Sequence, residues 1–251
     1  MGDIYATPEA ELSQHIGGDR AGGNIDDAVA GNFEVGMLET LGEAWRGLKG
    51  FKLKCWIAIL LYLLTFIVVG IGFGVIVAIV GQSGGDESVL MVLNILFQVV
   101  ITAVALPMSL AVLVMAMRHA NGKAVSAGEI YRHFGVVLTL VIGYIVMTIM
   151  ILIGFALLVL PGIYLVFAYM FAMPMMLEKK MGFWQAMETS RKALTGIIWF
   201  RFVGFLILLW FVNVLGLVTI IGWIWTVPLT LLTVAMVYQK IFGVEAHSLA
   251  D

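Results

Sequence analysis

Apolar runs dominate this chain, and the segments between them are short and of two kinds. The runs fall at about 54–80, 89–117, 136–160, 163–177, 197–217 and 222–241. A helix rises about 1.5 Å per residue, so about 20 apolar residues cross a bilayer core of about 30 Å. The third and fourth runs need separating. From Val136 to Leu177 there is no charged residue over 42 positions. As one helix this stretch would be about 63 Å long, twice a bilayer core. Pro161-Gly162 is the turn signal inside it, so it predicts two spans, the fourth a short one.

Two stretches have helical periodicity with one apolar face. Within 33–52, Val35, Leu38, Leu41, Trp45 and Leu48 recur three or four apart, against Glu39, Glu43, Arg46 and Lys49. Within 182–195, Phe183, Met187 and Leu194 contrast with Glu188, Arg191 and Lys192. Both predict helices lying in the membrane interface. Residues 1–32 are acidic and Gly-rich and lack the basic start and adjoining apolar stretch of a signal sequence. They read as a disordered acidic tail. The remainder reads as a six-span domain over 53–243 and a short tail over 244–251.

An internal repeat is visible. Pro107, Pro174 and Pro228 each fall in an even-numbered span and are each followed by Met or Leu, any residue, then Leu. Gly42-Glu43-Ala44-Trp45-Arg46 echoes Gly128-Glu129-Ile130-Tyr131-Arg132, with a looser copy at Glu188–Arg191. The pattern predicts an interfacial helix followed by a two-span hairpin, used three times. The prolines would kink their helices, with hydroxyls such as Ser109 and Thr230 taking the freed carbonyls. They either shape the packing or line a cavity.

Composition and charge sharpen this all-α membrane reading. The 251 residues are 62% hydrophobic and only 12% charged, about half the charged share of soluble domains. Net charge is −2, and no basic tract suits nucleic acid. Basic residues cluster before span one, between spans two and three, between four and five, and after six. The other three loops have none. Positive-inside placement then predicts both termini in the cytoplasm.

Candidate chemistry is sparse. There is no Walker, GxSxG or HExxH motif. His119 and His133 with Glu129 are too few for a closed zinc site, and the methionines read as packing filler. No metal or other cofactor is implied. Asn94, Gln98 and Asn213 lie within spans and are expected to bond across helices. Gly70-Ile71-Gly72-Phe73-Gly74 predicts close helix packing. Arg201 sits about a turn inside span five, close enough to snorkel, or to pair with Glu178 or Glu188. The candidate lipid-headgroup site is Lys179, Lys180, Arg191, Lys192 and Arg201 with Trp184.

One stretch carries a family resemblance. Leu160-Pro161-Gly162-Ile163-Tyr164, then Pro174, Glu178, Gly182, Ala186, Ser190-Arg191 and Gly196, resembles the glycerophosphodiester phosphodiesterase membrane-domain superfamily. That group includes the YciC family of bacterial inner-membrane proteins. The resemblance covers about 140–205 and implies a location and a fold, not an activity. A phosphodiesterase barrel would need roughly 200 further residues of strand–helix alternation. The expectation is a non-enzymatic membrane protein that binds lipid or a protein partner in the membrane. A transporter or channel for ions, small solutes or lipid is the second reading, and an immunity or accessory protein the third.

Overall fold

The computed structural model describes residues 20–84, 86–195, 197–218 and 221–250. It is an all-α bundle with one two-stranded ribbon. Short helices α1 (Ile25–Ala30) and α2 (Met37–Gly47) lead into two long ones, α3 (Lys52–Gln82) and α4 (Glu87–Ala120). Two 3₁₀ turns, Ala127–Tyr131 and Phe134–Val136, precede α5 (Val137–Leu157), α6 (Val159–Ala168) and α7 (Ala172–Glu178). Then follow α8 (Phe183–Ala193), α9 (Ile197–Val218), α10 (Trp223–Phe242) and α11 (Ala246–Leu249). Strand β1 (Arg20–Ala21) pairs antiparallel with β2 (Val244–Glu245). Six stretches, built on α3, α4, α5, α6–α7, α9 and α10, are long and apolar enough to cross a membrane. The repeat expected from sequence corresponds to a visible order: a short helix or 3₁₀ turn precedes each of the three hairpins.

The fourth span differs from its prediction. Its turn lies at Leu158, in extended conformation (φ −162°, ψ 150°), and α6 begins immediately after it. Pro161 therefore occupies the first turn of α6, where a missing N–H leaves no helical bond unmade. Gly162 permits close contact, since a Cβ there would stand 2.4 Å from the Phe155 ring. The span then breaks at Tyr169–Phe171 into α6 and α7. Ser190 of α8 closes the break. Its hydroxyl donates to the Ala168 carbonyl at 2.7 Å and accepts the Phe171 N–H at 3.3 Å. These are backbone groups that the break leaves without helical partners.

The prolines are also not equivalent. All three are buried, but Pro107 and Pro228 lie inside α4 and α10, whereas Pro174 lies in the first turn of the short α7. Pro228 frees the carbonyl of Ile224, four residues earlier. That carbonyl is taken by the Trp56 indole N–H of α3 at 3.0 Å, not by a hydroxyl. Thr230 bonds the Thr226 carbonyl and Ser109 that of Leu106.

Two expected tails are docked. The part of the N-terminal tail from 20 to 32 packs on the bundle; residues 1–19 lie outside the described residues. Ala28 is fully buried, and the Gly23 N–H donates to the Gln239 carbonyl at 3.0 Å. The approach needs glycine. At Gly22 (φ +101°) a Cβ would lie 2.3 Å from the Gln239 carbonyl oxygen, and at Gly23 2.5 Å from those of Lys240 and Ile241. The C-terminal segment is likewise tied in, with Val244 fully buried in the ribbon. Helix α2 lies on α10 through Thr40, Ala44 and Leu48, and Lys240 bonds Glu43 at 2.7 Å. Its expected membrane face is divided: Leu48 is buried and Val35 and Leu41 pack against the core, while Leu38 and Trp45 are exposed.

Candidate functional site

The basic loops and both docked termini meet at one end of the bundle, and buried charges join them. Glu178, at the end of α7, has a fully buried side chain. It accepts the Tyr238 hydroxyl at 2.9 Å and the Glu245 N–H at 2.6 Å. Lys179, its neighbour, sits 3.4 Å from Glu178 and 3.2 Å from Glu245, with a side chain only 3% exposed. A buried carboxylate is tolerated where such partners surround it. Asn121 and Gln239 add a reciprocal amide pair, at 3.0 and 2.9 Å, that ties the end of α4 to the end of α10.

Beside this network lies a cavity of about 240 Å³. Arg118, Arg132, Lys180, His133, His247 and Glu129 contribute its polar wall. The end of α4 supplies Arg118, which is 4% exposed. Its Nη1 donates to the Ala250 carbonyl at 2.5 Å, and its Nε lies 3.5 Å from a Glu129 carboxylate oxygen. Glu129 is held by its other oxygen, which accepts the Ser126 N–H at 2.8 Å. Arg132 and Lys180 are exposed. Lys180 has φ +53°, the only left-handed non-glycine among the described residues. That conformation costs about 1–2 kcal/mol and persists only where its surroundings enforce it. Here the chain reverses between α7 and α8, and the reversal sends Lys180 to the cavity while Lys179 turns inward. Three cations thus face one carboxylate, which favours an anion with several acceptor oxygens.

The sequence-derived set is divided by this arrangement. Lys179 belongs to the buried network and Lys180 to the cavity. Arg191 and Lys192 sit on α8, paired with Glu188 at 2.7 and 3.4 Å. The two hydrogen bonds from Arg191 hold the Glu188 carboxyl below its ordinary range, and the same contact raises Arg191. Trp184 is exposed on α8, and Arg201 is exposed near the start of α9. Arg201 pairs with neither Glu178 nor Glu188, which are engaged elsewhere. None of Pro107, Pro174 and Pro228 lines this cavity.

Arg118, Arg132, His133 and His247 stood outside the expected set. Two Arg-His pairs, Arg118-His119 and Arg132-His133, bracket one loop and were the available signal. What the sequence does not reveal is that residues near 118, 132, 180 and 247 share a wall.

The residues of the family-like stretch have structural tasks here. Pro161 lies in the first turn of α6, Gly162 lets α6 approach Phe155 of α5, Ser190 closes the α6–α7 break, and Glu178 anchors the C-terminal ribbon. No family model, no curated protein and no solved structure matches the chain.

Proposed function

We propose that this is a non-enzymatic, multi-pass protein of a bacterial inner membrane that binds anionic lipid headgroups in the cavity between α4, α7 and the C-terminal segment. The carrying observation is the convergence of Arg118, Arg132 and Lys180 on one small polar cavity, against the single carboxylate of Glu129. Val114, Leu177 and Val136 also line the cavity, so a ligand there has charged groups beside it and an apolar wall next to them. That is the chemistry of a lipid with an anionic head. The basic loops favour a cytoplasmic position for this end and for both termini. The family-like stretch agrees with a membrane protein of this kind, and we read it as a likeness of fold.

Lipid preference in nanodiscs tests the reading. Each basic residue near an anionic surface adds about 1 kcal/mol. Arg132→Gln with Lys180→Gln should lower the preference for anionic over zwitterionic lipid by more than about tenfold. Lys192→Gln with Arg201→Gln should change it much less. Equal binding of both lipid classes by the unaltered protein would refute the proposal.

A further inference from the structure

The cavity beside the Glu178 network draws its polar groups from four separate stretches of chain. Arg118 lies near the end of α4, Arg132 and His133 lie between the two 3₁₀ turns, Lys180 follows α7, and His247 belongs to α11. They are not equally committed. Arg118 is held by the Ala250 carbonyl and faces Glu129. The side chains of Arg132, His133, Lys180 and His247 make no hydrogen bond or ion pair with any described residue. All four can donate: guanidinium and ammonium through several N–H groups, and imidazole through one ring N–H even when neutral.

The acceptor side of the wall is already engaged. One Glu129 oxygen takes the Ser126 N–H at 2.8 Å, and the other faces the Arg118 Nε at 3.5 Å. Among the described residues no second carboxylate lines the cavity. An amine or hydroxyl brought in on a ligand would therefore lie among donors. At about 240 Å³ the cavity is also small, so a second substituent on a phosphate would have to sit among those same groups.

Anionic headgroups differ in what they offer such a wall. A phosphodiester has a single charge, two unesterified oxygens and a second substituent, commonly a polyol or an amine. A phosphomonoester has three terminal oxygens, about −1.5 to −2 charge at pH 7, and no second substituent. Donors that approach from separate segments are best met by oxygens that point in three directions, and charge-assisted bonds to them are about twice as strong as neutral ones. We infer that the cavity selects a phosphomonoester over a phosphodiester, with His133 and His247 binding the oxygen that a diester lacks. This rests on the headgroup reading above and narrows it: the lipid form is one whose phosphate is the whole headgroup.

The test titrates lipids into the full-length protein in a nonionic detergent at about pH 7.5, where the monoester is mostly a dianion. Bound lipid is counted by native mass spectrometry. Phosphatidic acid should bind about tenfold or more tighter than phosphatidylglycerol, and phosphatidylglycerol tighter than phosphatidylcholine. His133→Ala with His247→Ala should bring the first ratio within about twofold and keep the second. His133→Gln with His247→Gln, which retains N–H donors, should recover part of the first. Arg191→Gln with Lys192→Gln, outside the cavity, should leave it unchanged. Equal binding of the two anionic lipids, both above phosphatidylcholine, would overturn this inference and leave the headgroup reading standing; equal binding of all three would overturn both. A ratio that survives the double alanine variant, or that falls with Arg191 and Lys192, would also overturn the inference. Glycerol 3-phosphate separates the sources. It should fail to displace phosphatidic acid at matched concentration; if it binds where phosphatidic acid does not, the phosphomonoester stands as a soluble ligand and the lipid reading falls.

Discussion

The charged end of the bundle and the outer half of the α3–α4 hairpin are held in opposite ways. The most apolar 18-residue windows of α3 and α4 are 0% buried within the chain, against 50% for Val159–Glu178 and 44% for Trp223–Phe242. At the charged end, Met108, Met115 and Met117 of α4 are fully buried, and residues far apart in sequence are stitched by Glu178, Lys179 and Gln239. Along the hairpin, Leu60, Leu64, Ile67 and Ile71 face outward. In water the second region would be intolerable; in lipid it is an ordinary surface. The comparison teaches where this protein invests specificity. Tertiary contacts fix the end that gathers the basic residues, and the hairpin is left for lipid.

The strongest way to break the contrast is to remove its buried centre. Glu178→Ala would leave the Tyr238 hydroxyl and the Glu245 N–H without their acceptor and Lys179 with Glu245 alone, and should destabilise the protein by about 3–5 kcal/mol, read by thermal unfolding in detergent. Next, equal truncations in the two regions should differ. Met117→Ala should cost about 2–5 kcal/mol, whereas Leu64→Ala should stay within about 0.5 kcal/mol. Similar losses at both sites would mean that the hairpin is packed after all.

Smaller effects sharpen the boundary. Gly23→Ala should force residues 20–32 off the α10 carbonyls without unfolding the bundle. Amide exchange over that segment should rise by more than about tenfold while that of α4 is unchanged. Trp56→Phe removes the donor to the Ile224 carbonyl and should cost about 1 kcal/mol or somewhat more. In a Pro228→Ala background the loss should shrink, because the helix then supplies its own N–H to that carbonyl. A double-mutant cycle measures the difference.

Much of the architecture is legible in the sequence because the bilayer imposes simple rules of length and charge. Six apolar stretches, the basic loops and the hairpin order follow from those rules. What escapes them depends on contacts between distant residues. The docking of 20–32 needs Gly22 and Gly23 to meet the end of α10, which composition alone does not encode. The break after Ala168 is stabilised by Ser190, twenty-two positions away. Lys179 and Lys180 are neighbours in sequence, yet the backbone reversal points them to different places, which spacing alone does not encode. Arg118 reads as an ordinary boundary residue until Ala250 and Glu129 are seen to hold it.

The most direct test of the central claim is an experimental structure of the protein in nanodiscs containing anionic lipid. The account predicts a headgroup phosphate in the cavity, with oxygens about 3 Å from the Arg132 and Lys180 nitrogens. A cavity lying away from the headgroup layer, or one without phosphate while anionic lipid is ordered at Arg191, Lys192 and Arg201, would contradict it.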